Sequence, residues 1–229
     1  MTRSLMYRRH SERSERYPHD DLPPHLKKII LQAIRYAWER TLQDLHSEGK
    51  PLPNNENDLT ALLWDSLNEL RRDNTILAPF SSAIFQSIAR DACAVSFDGS
   101  QLHKRPDLAF RLVGSSDDYD AWFTECKVLD SSRNIGRYLQ QGIDRFINGE
   151  YAWTMPSALM LAYTNGSYSC GDSLVNGCER HSYQLPELDS EFSWEETEVW
   201  KSKHDRAWCY PGTSRSPGEI DLLHLWLSA

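Results

Sequence analysis

A chain of 229 residues with eight Trp, ten Tyr and seven Phe has enough apolar surface to bury one sizeable core with extensions. No stretch approaches the apolar run a membrane helix needs, and the charged opening lacks the hydrophobic centre of a signal peptide, so the composition predicts a soluble, cytoplasmic protein with no membrane partner. The net charge of −8 speaks against a surface that is basic throughout, and five cysteines without a Cys-x-x-Cys pair speak against a disulfide framework.

The charge is unevenly spread. Residues 1–16 hold five arginines against two glutamates, and residues 1–21 read as a flexible basic arm ahead of a single domain over 22–229. Pro23-Pro24 can open a helix, and Leu26, Ile29, Ile30, Ala33, Ile34, Ala37 and Trp38 recur at helical spacing through about Leu45. Pro51 and Pro53 break the pattern before a second helix, about Asn55 to Arg72, with Leu59, Leu62, Leu63, Leu67 and Leu70 on its apolar face and Trp64 alongside. Glu56 falls in the first turn of that helix, where a carboxylate suits the helix dipole and sits at the end of the packed face.

Residues 80–89 read as a short helix or an irregular connection, and Ala92 to Phe97 as a first strand closed by a turn at Asp98-Gly99. Residues 105–113 and 120–129 read as the second and third strands, joined by a polar turn at 114–118 into an antiparallel meander. In a strand, residues two apart share a face, so Glu125 and Lys127 stand together while Cys126 faces away. Two acids with an ammonium beside them form the hard-oxygen environment that Mg²⁺ prefers.

Ser131-Ser132 can cap the next helix, about Arg133 to Tyr151, whose buried stripe would be Ile135, Leu139, Ile143, Phe146 and Ile147. Arg137, Gln141 and Arg145 recur at four-residue steps on its polar flank. Ser157 to Tyr163 is the continuous apolar run of an interior strand, and its arrival after a helix predicts a parallel pairing with the third strand. Residues 168–178 read as a helix or loop, His181 to Leu185 as strand-like, and residues 187–198, with six acids and no base, as an exposed connection. Lys201, Lys203, His204, Asp205 and Arg206 cluster before a turn-rich loop, and Ile220 to Leu227 reads as a partly buried last strand. Cys170, Cys178, His181, His204 and Cys209 match no common zinc-finger spacing.

Pro106-Asp107, followed after seventeen positions by Glu125-Cys126-Lys127, resembles the signature of the PD-(D/E)xK nuclease superfamily in its E-x-K form. The resemblance covers roughly residues 55–163. It implies an α/β fold, a restriction-endonuclease-like core with a central mixed sheet flanked by helices, and Mg²⁺-dependent hydrolysis of phosphodiester bonds in DNA, with Mn²⁺ able to substitute and RNA not excluded. By the same resemblance Asp107, Glu125 and the carbonyl of Cys126 would ligate the metal, Glu56 would join them from the preceding helix, and Lys127 would serve catalysis. Gln140 or Gln141 would lie beside metal or phosphate, with Arg145 on the substrate side of the same helix. Outside the resembling stretch, His204 and Arg206 of the basic cluster either contact the nucleic-acid backbone or only balance the acidic stretch before them. Small nucleases of this kind resemble bacterial repair or antiviral defence effectors. With no phosphate-binding loop of the Gly-x-x-x-x-Gly-Lys type here, a helicase or ATPase partner would have to be a separate chain. A two-fold homodimer would suit double-strand cutting. The alternative is a nucleic-acid-binding or scaffold subunit on the same fold that does not cut.

Overall fold

The computed structural model describes residues 17–73, 75–91, 96–98, 100, 104–115, 117–165 and 169–228. The first two elements among these residues are long helices, α1 (Pro24–Ser47) and α2 (Glu56–Arg72). Asn55 caps α2 by accepting from the Asp58 N–H at 2.9 Å, and Glu56 and Asp58 place negative charge at the positive end of the helix dipole. The predicted stripe of α1 is buried: Ile30, Ala33, Ile34, Ala37 and Trp38 are fully enclosed. Ile30 and Ile34, so enclosed, each stabilise the fold by about 1.5–3 kcal/mol.

Among the described residues seven strands form one mixed sheet: β1 (Phe85–Arg90), β2 (Leu108–Leu112), β3 (Trp122–Leu129), β4 (Ser157–Thr164), β5 (Glu187–Leu188), β6 (Val199–His204) and β7 (Ile220–Ser228). Their spatial order is β1-β2-β3-β4-β7-β6-β5. β1, β2 and β3 make an antiparallel meander, β4 lies parallel to both β3 and β7, and β6 returns antiparallel to β7. The chain is thus an α/β protein with a seven-stranded mixed sheet flanked by helices.

Alternation along each strand divides the core in two. Phe110, Trp122, Cys126, Leu161 and Leu225 face α1 and α2, while Ala109, Phe123, Met160, Ala162 and Leu222 face the helices of the other layer. β4 and β7 are covered on both sides, which is why they read as nearly unbroken apolar runs.

The second layer comprises α5 (Cys170–Arg180) and one helical stretch built of α3 (Ile135–Tyr138), a π-helical turn at Leu139–Ile143 and α4 (Asp144–Ile147). Gly142, inside the wide turn, lies so close to β4 that a Cβ there would fall 2.4 Å from Met160 Cε. α4 ends in a Schellman turn: Gly149 takes φ +67°, its N–H reaches the Phe146 carbonyl at 3.2 Å, and the Glu150 N–H reaches the Arg145 carbonyl at 2.9 Å.

Several predicted elements sit elsewhere. The first strand is β1 at residues 85–90, where a helix or irregular segment was expected; residues 92–95 lie outside the described set, and Phe97 and Asp98 form a turn. Ser131 and Ser132 cap no helix, because the Asp130 carboxylate gathers the N–H groups of Ser132 and Arg133 and the helix begins after Asn134. His181 to Leu185 is not a strand, whereas β6 runs through the expected Lys-His-Arg surface cluster. Of the expected arm, residues 1–16 lie outside the described set, but Tyr17 is buried against Trp153 and Tyr210, and Asp21 accepts from Ser157 at 2.5 Å.

One edge of the sheet is covered by side chains of α2. Trp64 Nε1 donates to the Ile88 carbonyl at 2.8 Å, and Arg71 donates to the carbonyls of Phe85 and Gln86 at 3.0 and 3.1 Å. Among the described residues no helix is long and apolar enough to cross a membrane.

Candidate active site

The β2–β3 ladder pairs Ala109 with Phe123 and Leu108 with Thr124. Continuing that register by one step sets Asp107 opposite Glu125, on the face that Ala109 and Phe123 present to the second helical layer. Pro106, having no N–H, cannot extend the ladder as a donor. The Asp107 carboxylate turns onto β3, and Oδ2 accepts from the Cys126 N–H at 2.6 Å. Among the described residues nothing bonds Asp107 Oδ1. Burial, then repulsion from Glu125, holds the Asp107 carboxyl well above the usual carboxylate range, with Lys127 and the Cys126 N–H pulling the other way.

Glu125 is wholly enclosed, yet its charge is well provided for. Oε1 accepts from Lys127 Nζ at 2.6 Å and from Arg145 at 2.7 Å, while the Tyr151 hydroxyl donates to Oε2 in a very short contact. An ionised carboxylate offers about four lone pairs, so Glu125 retains one acceptor position beyond these three donors.

Lys127, 7 % exposed, collects three oxygens around its ammonium: Glu125 Oε1 at 2.6 Å, the Cys126 carbonyl at 2.7 Å and Glu56 Oε1 at 2.9 Å. Burial alone would lower its pKa, but attraction to Glu125, Glu56 and Asp107 outweighs that and the net shift is upward. Glu56 reaches this point from the first turn of α2, with about a third of its side chain in solvent (34 %).

The expected residues therefore divide into two groups. Asp107, Glu125, Cys126, Lys127 and Glu56 come together. Arg145 is drawn in as well, but onto Glu125 and not onto the open flank where it was expected to meet phosphate. The physical cause is the π-helical turn, which breaks the four-residue phase that placed Arg145 beside Arg137 and Gln141. Arg137 and Gln141 remain outside, joined at 3.3 Å, and Gln140 is likewise exposed on the turn.

His204 and Arg206 do not belong to this site. β6 lies three strands from β3, roughly 14 Å at ordinary strand spacing. His204 is buried in a polar chain in which Ser202 Oγ lies 2.7 Å from Nε2 of both His204 and His224, and His224 Nδ1 lies 2.9 Å from the Tyr138 hydroxyl. Arg206 is enclosed too, and its guanidinium donates to the carbonyls of Ala152, Met155, Pro217, Gly218 and Glu219. Five carbonyls tie a loop together and leave no donor aimed at solvent.

Tyr151 is the contributor that the pattern of the chain did not single out. The helix was expected to continue through it, whereas Asn148-Gly149, just past the last apolar residue of the stripe, is a C-terminal stop signal. A surface cleft of about 720 Å³ lined by Gln86, Arg111, Asp117 and Tyr119 contains none of the site residues.

Two carboxylates and a main-chain carbonyl within 2.6–2.9 Å of one positive centre are the donors a hard cation takes, and the Lys127 ammonium stands where such a cation would be held. Among the described residues no three His, Cys, Asp or Glu side chains converge closely enough to ligate one ion by themselves. The donor set suits Mg²⁺, which needs only one or two carboxylates and keeps several waters. No family model, curated protein or solved structure matches the chain.

Proposed function

We propose that the chain is a metal-dependent nuclease with a restriction-endonuclease-like core, hydrolysing phosphodiester bonds of DNA. The observation that carries this reading is the convergence of Glu125, Glu56 and the Cys126 carbonyl on Lys127, with Asp107 beside them. Asp107, through the oxygen that no described residue bonds, together with Glu125 and the Cys126 carbonyl, would hold Mg²⁺, and Glu56 would extend the set. When bound, the ion supplies Lewis-acid polarisation of a phosphoryl oxygen and a lowered pKa for water. Lys127 is flexible enough to leave its three oxygens and orient the attacking water or offset charge growing on the phosphate. Water adds to phosphorus and the ester P–O bond breaks, leaving one phosphomonoester end and one hydroxyl end.

The test is incubation of single- and double-stranded DNA and RNA with the protein in Mg²⁺, Mn²⁺ or EDTA. Cleavage is expected with either metal, absent in EDTA, and lost in Asp107→Ala and Lys127→Ala variants that keep their circular dichroism spectrum. No cleavage of any substrate by the unmodified chain refutes the reading. The second reading, a subunit that binds nucleic acid or a partner without cutting, draws on the three protein donors that Glu125 already accepts from and the ammonium already held among the acids. Filter binding in EDTA, positive without any cleavage in Mg²⁺, would favour it. The defence or repair setting, with a motor on another chain, is proposed from the resemblance alone.

A further inference from the structure

We propose that Arg145 and Tyr151 are positioning residues that lock the Glu125 carboxylate in the orientation in which it accepts a divalent cation. The inference rests on the nuclease reading and deepens it. Glu125 is fully buried, and a buried carboxylate without fixed donors on both oxygens would be free to rotate. Here each oxygen has a donor that is not a candidate ligand or the catalytic lysine: Arg145 at 2.7 Å on Oε1 and the Tyr151 hydroxyl on Oε2. The two donors also meet each other, Arg145 lying 3.4 Å from the Tyr151 oxygen, so each helps to hold the other.

The local fold explains why these two residues act as a pair. They are six positions apart and would face different ways on an uninterrupted helix. The Schellman turn at Gly149 ends the helix between them and folds the chain back, with the Glu150 N–H bonded to the Arg145 carbonyl. Phe146 packs edge-on against the Tyr151 ring at 5.1 Å, and the ring is wholly enclosed, so the hydroxyl has one orientation available. Gly149 itself is pinned, since any Cβ there would come within 2.8 Å of Phe97 and Trp208. A fixed acid, a fixed phenol and a fixed guanidinium form the outer support of a ligand whose aim determines metal affinity.

The test is a calorimetric titration of Mn²⁺ into the metal-free protein, its Tyr151→Phe variant and, as a control for loss of a tyrosine hydroxyl elsewhere, Tyr183→Phe, whose hydroxyl bonds Asp144 at 2.8 Å. The expected result is binding by the wild type that Glu125→Gln abolishes, a dissociation constant raised on the order of 10-fold in Tyr151→Phe, and no change in Tyr183→Phe. Arg145→Gln should weaken binding comparably, and Arg145→Lys, which keeps a charged donor, should recover part of the loss. This Arg145 pair decides the question if Tyr151→Phe does not fold. Equal Mn²⁺ affinity in the wild type, Tyr151→Phe and Arg145→Gln overturns the positioning role and leaves the nuclease reading standing. No Mn²⁺ binding by the wild type, or binding that Glu125→Gln leaves unchanged, overturns both.

Discussion

Replacing Lys127 by Met tests the ammonium's place among the oxygens. The substitution keeps the length of the stem, which runs past Gly142, but removes three hydrogen bonds: those to Glu125, Glu56 and the Cys126 carbonyl. Breaking a buried ion pair costs about 3–5 kcal/mol when the surviving charge is left uncompensated. Glu125 still has Arg145 and Tyr151, and Glu56 can rehydrate, so the expected cost is nearer about 2–3 kcal/mol. For a chain of this size that corresponds to a fall of roughly 4–12 °C in melting temperature in EDTA. With the ammonium gone, a divalent cation no longer has to displace it. Mn²⁺ at a hundred times its dissociation constant would return about 2.7 kcal/mol to the variant, most of what was lost, while cleavage stays abolished. Thermal melts of both proteins in EDTA and in a Mn²⁺ series measure this. A variant that melts with the wild type in EDTA, or a Mn²⁺ shift no larger than the wild type's, would refute the account of the cage.

Ser202→Ala leaves the Nε2 atoms of His204 and His224 without their shared partner inside the fold, at about 1–3 kcal/mol for each group, and a lowered urea midpoint with unchanged cleavage is expected. Burial pushes the His204 imidazole down to about 4, and burial followed by its neighbour His204 pushes His224 down to about 3. The unfolded chain therefore takes up protons below pH 6.5 that the folded chain refuses. The stability from this pair is present above that pH and declines as pH falls toward 4 and 3, by up to about 4 kcal/mol between pH 7 and pH 5. Urea titrations at the two pH values check it, and equal midpoints would contradict it. Gly149→Ala forces a Cβ into left-handed backbone and against Phe97 and Trp208, so a loss of about 2 kcal/mol or more is expected by chemical denaturation. Arg206→Met strips donors from five carbonyls; it should destabilise by about 3 kcal/mol while leaving DNA affinity in EDTA unchanged, where the sequence had suggested a phosphate contact.

What could be read from the chain followed from periodicity. α1 and α2 announce themselves by apolar stripes at helical spacing, and β4 by a run that needs cover on both sides. β6 gave no such signal because the residues it buries toward the second helical layer include Ser202 and His204, whose enclosure is tolerable only through hydrogen bonds invisible in a linear pattern. β1 was hidden by a register shift between Phe85 and Ser87 that breaks its alternation. Asp107, Glu125 and Lys127 were legible from a local rule, strand alternation on either side of a turn. Tyr151 and the true place of Arg145 were not, since both depend on a widened helical turn and a left-handed glycine that re-aim the chain by less than one helical turn.

The cover over β1 bears on how this protein could assemble. An outermost strand ordinarily offers unpaired carbonyls to any extended segment that drifts past, which is how sheets are lengthened between molecules. In this chain an indole and a guanidinium from α2 already hold three of those oxygens. Recruitment of an incoming strand along that border would first require Trp64 and Arg71 to withdraw, so the border beside the meander is closed to growth by the protein's own second helix.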